Sequence, residues 1–224
     1  MDFREVYQKW LHDFASDSDT VAQLKAIAEN VKEIEDRFYT ELAFGTAGMR
    51  GVLGAGTNRM NIYNVRRATK GFADYINEGD PSYRERGVVI AYDSRRKSAE
   101  FAKSAALVLA HEGIHAFLFD ELRPVPILSY AVRHLHAIAG IVITASHNPP
   151  EYNGYKVYWE DGAQMPPEYA DKVLEKSAPP VIRTRSRWTS RRQGKPGCLR
   201  SSERPKSTTI ISRKNARCPY SRSL

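Results

Sequence analysis

Cysteine is scarce in this chain, with two among 224 residues. Two cysteines cannot build a disulfide framework, so the fold must rest on an ordinary apolar core, and a reducing cytoplasm is the expected compartment. Long apolar runs are missing as well. No stretch approaches the roughly 18 apolar residues of a membrane span, so no membrane association is expected. The N-terminus, "MDFREVYQKWLHDF", lacks the basic-then-apolar layout of a secretion signal. The glycine-rich stretch at residues 44–61 lacks Gly-Lys-Ser/Thr and is not a P-loop. Ser146 lies in Thr-Ala-Ser-His-Asn and lacks the Gly-x-Ser-x-Gly elbow of α/β-hydrolases. His134 and His136 have no cysteine or acidic cluster beside them in sequence, which argues against a metal pair.

Acidic residues are also missing, but only from one end. Of 34 Lys+Arg, 13 fall in residues 178–224, against a single acid there, Glu203. That segment carries +12, residues 1–177 carry −4, and both cysteines lie in the basic part. The net charge of +8 is therefore not a property of the whole chain. Residues 178–224 hold no sustained apolar period, and such a composition cannot bury enough surface to offset chain entropy. Disorder is the expectation there. Thirteen cations would attract nucleic acid without regard to sequence and with strong salt dependence. With only Trp188 and Tyr220 available for stacking and no recognisable module, no specific nucleic-acid partner is expected.

What is present is an alternation of periods. Apolar residues recur every three or four positions over residues 3–38, which predicts helix, with Asp19 or Thr20 as a cap for its second part. Residues 44–61 show no period and read as a long loop. "IYNVRRATKGFADYI", "SAEFAKSAALVLAHEG", "VPILSYAVRHL" and "PEYADKVLEKS" read as helices, the second ending at Gly113. "GVVIAYD", "HAFLFD", "AGIVIT" and "GYKVYW" read as strands. The fold class this implies is α/β, a three-layer α/β/α domain with a mainly parallel mixed sheet, followed by a disordered basic tail. Ligands of such sheets gather beyond the carboxyl ends of the strands. "TASHN" and "YDSRRKS" both sit there. Pro149 and Pro150 stiffen the turn after Ser146, and Asn153-Gly154 reads as a second tight turn that brings Lys156 back.

Taken alone, a strand-end serine is most often a turn former. The longer stretches change that reading. "TASHNPPEYNGYK" resembles the phosphoserine loop of the α-D-phosphohexomutase superfamily, and "ELAFGTAGMRGVLGAGTNRMN" resembles its N-terminal phosphate-proximal loop. "VVIAYDSRRKS" and "DELRPVPILSYAVR" match further signatures of that family. The resemblance covers about residues 38–177, and its glycine-rich loop is most similar to phosphoglucomutases of the branch that includes phosphopentomutases. It implies a helical extension at residues 1–40, a phosphoserine domain at 41–177 and a separate tail at 178–224.

The resemblance also implies chemistry. Ser146 would carry a phosphoryl group and pass it to a sugar phosphate through a bisphosphorylated intermediate, interconverting glucose 1-phosphate and glucose 6-phosphate. Lys156, ten residues on, would be the general acid/base. Arg50 would face the transferred group, and His147 would orient substrate or serine. Thr46, Asn148 and Arg95 would contact substrate, while Asp93 and Arg95 are read mainly as bracing the loop near the site. Mg²⁺ would bind through phosphorylated Ser146, and glucose 1,6-bisphosphate would be the intermediate and activator. The expected partner is a sugar phosphate, and a monomer is favoured.

The family's metal loop, Asp-x-Asp-x-Asp-Arg, and its sugar-selecting and phosphate-anchoring loops do not occur in this sequence. A reading-frame shift near residues 178–180 would account for that and would leave the chain inactive alone. Phosphomannomutase or phosphopentomutase activity is the alternative within the superfamily. A non-catalytic truncated product or a basic-tail nucleic-acid binder is the alternative outside it.

Overall fold

In the computed structural model, residues 2–45 and 48–166 are described, and 208–211 as backbone alone. The helical expectation for residues 3–38 resolves into three short helices: α1 (Phe3–Asp13), α2 (Ser18–Ala26) and α3 (Val31–Phe38). Each starts on an acidic or amide side chain that accepts from a first-turn N–H, namely Asp2, Asp17 and Asn30. Such a cap is worth about 1 kcal/mol. The α2 cap is thus Asp17, not Asp19 or Thr20: its carboxylate accepts from both the N–H and the hydroxyl of Thr20. Tyr7, Trp10, Phe14, Leu24, Ile27, Ile34 and Phe38 bury one another between these helices.

The glycine-rich stretch is not wholly a loop. It contains β1 (Phe44–Gly45) and β2 (Gly48–Val52). Pairing with distant residues makes these strands; nothing in the local period announces them. There follow α4 (Ile62–Glu78), a single turn α5 (Tyr83–Arg86), β3 (Val88–Tyr92), α6 (Ser98–His111), β4 (Ala116–Phe119), α7 (Val125–His134), β5 (Ala139–Ile143) and β6 (Tyr152–Trp159). Gly113, with φ +80°, stands just past α6 as the sequence predicts. Asn153 and Gly154 lie inside β6, so they are strand residues and not the predicted turn. The reversal falls earlier, where Tyr152 N–H donates to Pro149 O at 3.0 Å. The helix predicted at residues 167–177 lies outside the described residues.

The sheet order is β1-β2-β6-β5-β3-β4-β7, where β7 is Thr208–Ile211. β5, β3, β4 and β7 pair in parallel, whereas β1–β2, β2–β6 and β6–β5 are antiparallel. The sheet is therefore mixed in equal halves rather than mainly parallel. The physical reason is the short link from β5 to β6, which holds no crossover helix and can only turn the chain back on itself. β7 departs from the disorder expected of residues 178–224. Its four residues are all β-branched, the type that suits a pleated strand, and they pair with the edge of β4. The rest of residues 178–224 lies outside the described residues.

Side chains alternate across the strands. Val88 and Ile90 join Val65, Phe72 and Ile76 of α4 and Phe101, Ala105 and Leu109 of α6 on one face. Val89 and Ala91 join Leu128, Ala131 and Val132 of α7 on the other. Each fully buried Leu, Ile or Phe is worth about 1.5–3 kcal/mol, so this sandwich dominates stability. Helices on both faces make the three predicted layers, and α7 is the only described helix on its side. No described helix is long and apolar enough to cross a membrane.

Candidate active site

Ser146 follows β5 and is exposed. Its backbone is left-handed, φ +57°, a conformation uncommon outside glycine. The residues around it close two successive turns. Asn148 N–H donates to Ala145 O at 3.1 Å, and Tyr152 N–H to Pro149 O at 3.0 Å. Ser146 N–H donates to Thr144 Oγ1 at 3.0 Å. Among the described residues, the Ser146 hydroxyl has Nδ1 of His147 as its hydrogen-bonding neighbour, at 3.3 Å. The exposed His147 ring thus stands beside the Ser146 oxygen.

β2 and β6 bring the cations. Their register sets Gly48 opposite Lys156 and Arg50 opposite Gly154. Opposed residues share a face, and β6 alternates, so Arg50 and Lys156 emerge on the same face as diagonal neighbours, roughly 7–8 Å apart. Met49 and Tyr155 take the opposite face and enter the core. Tyr155 is fully buried, and its hydroxyl meets Thr69 Oγ1 of α4 at 3.2 Å, which fixes β6 between Gly154 and Lys156. Glycine is needed at both opposed positions. A Cβ on Gly48 would lie 1.9 Å from Tyr155 O, and one on Gly154 would lie 2.6 Å from Thr144 O.

Arg50 is aimed by Asn148, whose Oδ1 accepts from its guanidinium at 2.9 Å. This bond joins β2 directly to the serine loop. Lys156 is half-buried, and no group among the described residues pairs with its amine. Arg95 behaves differently. Its two terminal nitrogens donate to four carbonyls: Ser146 O at 2.9 Å, Asn148 O at 2.5 Å, Pro149 O at 2.8 Å and Tyr152 O at 3.1 Å. Asp93 stands behind it, with Oδ2 3.5 Å from Arg95 Nε and Oδ1 accepting from Arg95 N–H and the Ser98 hydroxyl. Asn153 continues this frame, donating to Ser98 Oγ and Arg96 O, each at 2.9 Å. Ser98, Asn153 and Thr144 are support residues that the sequence reading missed. Asn153 was visible only as half of an apparent turn. Thr46 lies outside the described residues.

A second frame holds the glycine-rich stretch. Asn61 donates to Gly54 O and Gly56 O, and Asn64 to Thr57 O and Arg59 O. The N-terminal helices add to it. Gln23 accepts from Ala55 N–H, Arg59 pairs with Asp36, and Arg37 pairs with Glu33 while reaching Ala55 O. Tyr63, just past this stretch, donates to Asp17 at 2.6 Å. Burial and this bond together raise the Tyr63 pKa well above the ordinary tyrosine value.

The described residues contain no group of three or more His, Cys, Asp or Glu that could hold a metal ion. Beside Ser146 stand imidazole, amide and guanidinium groups, and the carboxylate of Asp93 behind the loop is committed to Arg95 and Ser98. Taken alone, these residues do not fit a magnesium site.

The family description "Phosphoglucomutase/phosphomannomutase, alpha/beta/alpha domain I" matches residues 41–179. A phosphopentomutase of Mus musculus is 42% identical over 154 residues, covering 66% of this chain and 25% of that protein. A phosphoglucomutase of Staphylococcus haemolyticus is 47% identical over 143 residues, covering 63% of this chain and 25% of that protein. A solved structure from Thermus thermophilus, assigned as a phosphomannomutase, superposes with a TM-score of 0.55 at 31% identity, covering 62% of this chain and 30% of that one. The chain thus spans about a quarter of the length of these curated relatives.

Proposed function

Because the chain belongs to the phosphoglucomutase/phosphomannomutase family, with domain I over residues 41–179, we propose that it is the phosphoserine domain of a phosphoglucomutase-type phosphotransferase. The reaction is the interconversion of glucose 1-phosphate and glucose 6-phosphate through glucose 1,6-bisphosphate. The observation that carries this reading is the meeting of Arg50 and Lys156 on one sheet face, with Asn148 tying Arg50 to the Ser146 loop.

In the proposed step, a hydroxyl oxygen of the sugar phosphate attacks the phosphorus on Ser146. The P–O bond to Ser146 breaks as the new P–O bond forms. Lys156 takes the hydroxyl proton and returns it when the step runs backwards, a service worth about 10²–10⁴ in rate. Arg50 offers a planar fork to the equatorial oxygens, where charge gathers in phosphoryl transfer. The serine oxygen leaves as an alkoxide and takes a proton from solvent, and the resulting hydroxyl rests beside His147 Nδ1 at 3.3 Å. Magnesium, where bound, would supply charge neutralisation at the phosphoryl group. The described residues give it only the serine-borne oxygens, so further ligands would have to come from elsewhere.

We therefore propose that the 224-residue chain accepts a phosphoryl group but does not sustain turnover. The test is a coupled assay with Mg²⁺, glucose 1-phosphate and a trace of glucose 1,6-bisphosphate. The expected result is no steady production of glucose 6-phosphate. Sustained production that is lost in Ser146→Ala would show that this chain alone suffices. A second sugar is favoured by one finding, the 42% identity to a phosphopentomutase. Ribose 1-phosphate in the same assay addresses it.

A further inference from the structure

Arg95 has more to do than a surface loop arginine. Each of its terminal nitrogens spans one of the two turns that follow β5. One bonds Ser146 O and Asn148 O, both in the first turn, and the other bonds Pro149 O and Tyr152 O, which bound the second. Its four terminal N–H groups are thereby matched to four carbonyls, and its remaining nitrogen faces Asp93. No terminal donor is left for a ligand. Three of the carbonyls it gathers, those of Ser146, Asn148 and Pro149, precede β6, and Ser146 itself lies in the left-handed region.

We propose that Arg95 is a positioning residue. It acts through the backbone of residues 146–152 to hold Ser146 in the left-handed conformation that sets its hydroxyl beside His147. This replaces the expectation that Arg95 contacts substrate. The work needs a planar, two-ended donor. A lysine ammonium is a single point and cannot bridge both turns at once. Asp93 supplies the base on which the fork rests, and Ser98 and Asn153 couple that base to β6, the strand of Lys156. One side chain thus ties the phosphoryl-accepting residue to the strand of the proton carrier. The positioning stands on geometry alone, while its consequence for phosphoryl transfer rests on the function proposed above.

The test uses the full 224-residue chain as wild type, Arg95→Lys, Arg95→Ala, Ser146→Gly and the double variant Arg95→Lys/Ser146→Gly. Hydrogen exchange is read at the Asn148 and Tyr152 amides, which close the two turns, with α6 and β3 amides as controls. Arg95→Lys should speed exchange at both turn amides by about ten-fold or more while leaving the controls unchanged. Guanidinium ion at low millimolar concentration should restore protection in Arg95→Ala. Glycine adopts the left-handed region freely, so the lysine penalty at Asn148 should shrink in the Ser146→Gly background. In a single-turnover reaction with glucose 1,6-bisphosphate, Arg95→Lys should slow phosphoryl uptake by about ten-fold or more, with the half-saturating concentration changed less than about three-fold. Turn amides exchanging alike in wild type and Arg95→Lys, or an undiminished penalty in the glycine background, would overturn the proposal. A larger effect on half-saturation than on rate would return Arg95 to substrate contact. If no variant takes up phosphate, wild type included, the function proposed above fails, and the exchange data still decide the role of Arg95.

Discussion

The two loops that adjoin the β2–β6 pair, one following β2 and one preceding β6, are held in opposite ways. Residues 53–61 are gripped by many weak hands: their own Asn61, which caps α4, Asn64 from α4, and Gln23, Arg37 and Asp36 from the N-terminal helices. Ala55 from the middle of this stretch is also buried in the aromatic cluster of α1–α3. Residues 146–152 take four of their carbonyl bonds from a single guanidinium. The first arrangement is redundant, and the second is concentrated. Redundant support degrades in steps when single residues are changed, whereas concentrated support fails at one. The comparison also assigns a role to residues 1–40. They are the outer wall of the loop that follows β2, the strand of Arg50, and they share a core with Ala55 and Tyr63.

The largest effect expected concerns neither clamp but the strand between them. Lys156→Met should slow phosphoryl uptake at Ser146 by about 10²–10⁴-fold, because a proton carrier is lost while both loops stay in place. Rapid-quench measurement checks this, and an unchanged rate would remove Lys156 from the chemistry. Next comes Trp10, buried against Phe14, Phe38 and Tyr63 at 4.6, 5.7 and 5.7 Å. Trp10→Ala should cost about 3–5 kcal/mol in chemical denaturation and loosen residues 53–61 well before residues 146–152. Equal loosening of both loops would erase the contrast between them.

Asn64→Ala tests redundancy directly. It takes one donor each from the carbonyls of Thr57 and Arg59, but Leu42 N–H and Asn61 still serve them and Arg37 and Gln23 remain, so the cost should be about 0.5–1.5 kcal/mol per bond. The loop should keep its conformation, visible as unchanged amide shifts beyond Gly56. The smallest effect is expected at Tyr63. Its raised pKa means the folded state favours the protonated phenol. That stability is present below the ordinary tyrosine value near 10 and is lost as pH rises above it. Tyr63→Phe should cost about 1 kcal/mol at neutral pH and flatten the alkaline decline. A decline as steep as that of wild type would place its cause elsewhere.

These contrasts also mark what could be read from residues alone. The strands Val88–Tyr92 and Ala139–Ile143 and the long helices α4 and α6 were legible because burial on one or two faces imposes a period on the sequence. β1 and β2 were not, since β2 pairs with a strand about a hundred residues away and glycine hides any alternation. Ser146, Lys156 and Arg50 were picked out by resemblance to a family, not by local pattern. The register of β2 on β6 then gives the two cations a common face. The detailed use of Arg95 escaped the sequence for a physical reason. Its partners are backbone carbonyls, which every residue has, so no side chain nearby announces the clamp. Asn153-Gly154 misled for the related reason that a turn signal and a close-approach signal use the same residue types.

The most direct test of the account is the location of phosphate on the chain. Purified 224-residue protein is incubated with Mg²⁺ and glucose 1,6-bisphosphate labelled in its phosphates, then digested and mapped by tandem mass spectrometry. The account predicts one phosphate per chain, on Ser146, and none on the Ser146→Ala variant. Label that persists in Ser146→Ala, or its absence from Ser146 in a chain whose loops are ordered, would contradict it.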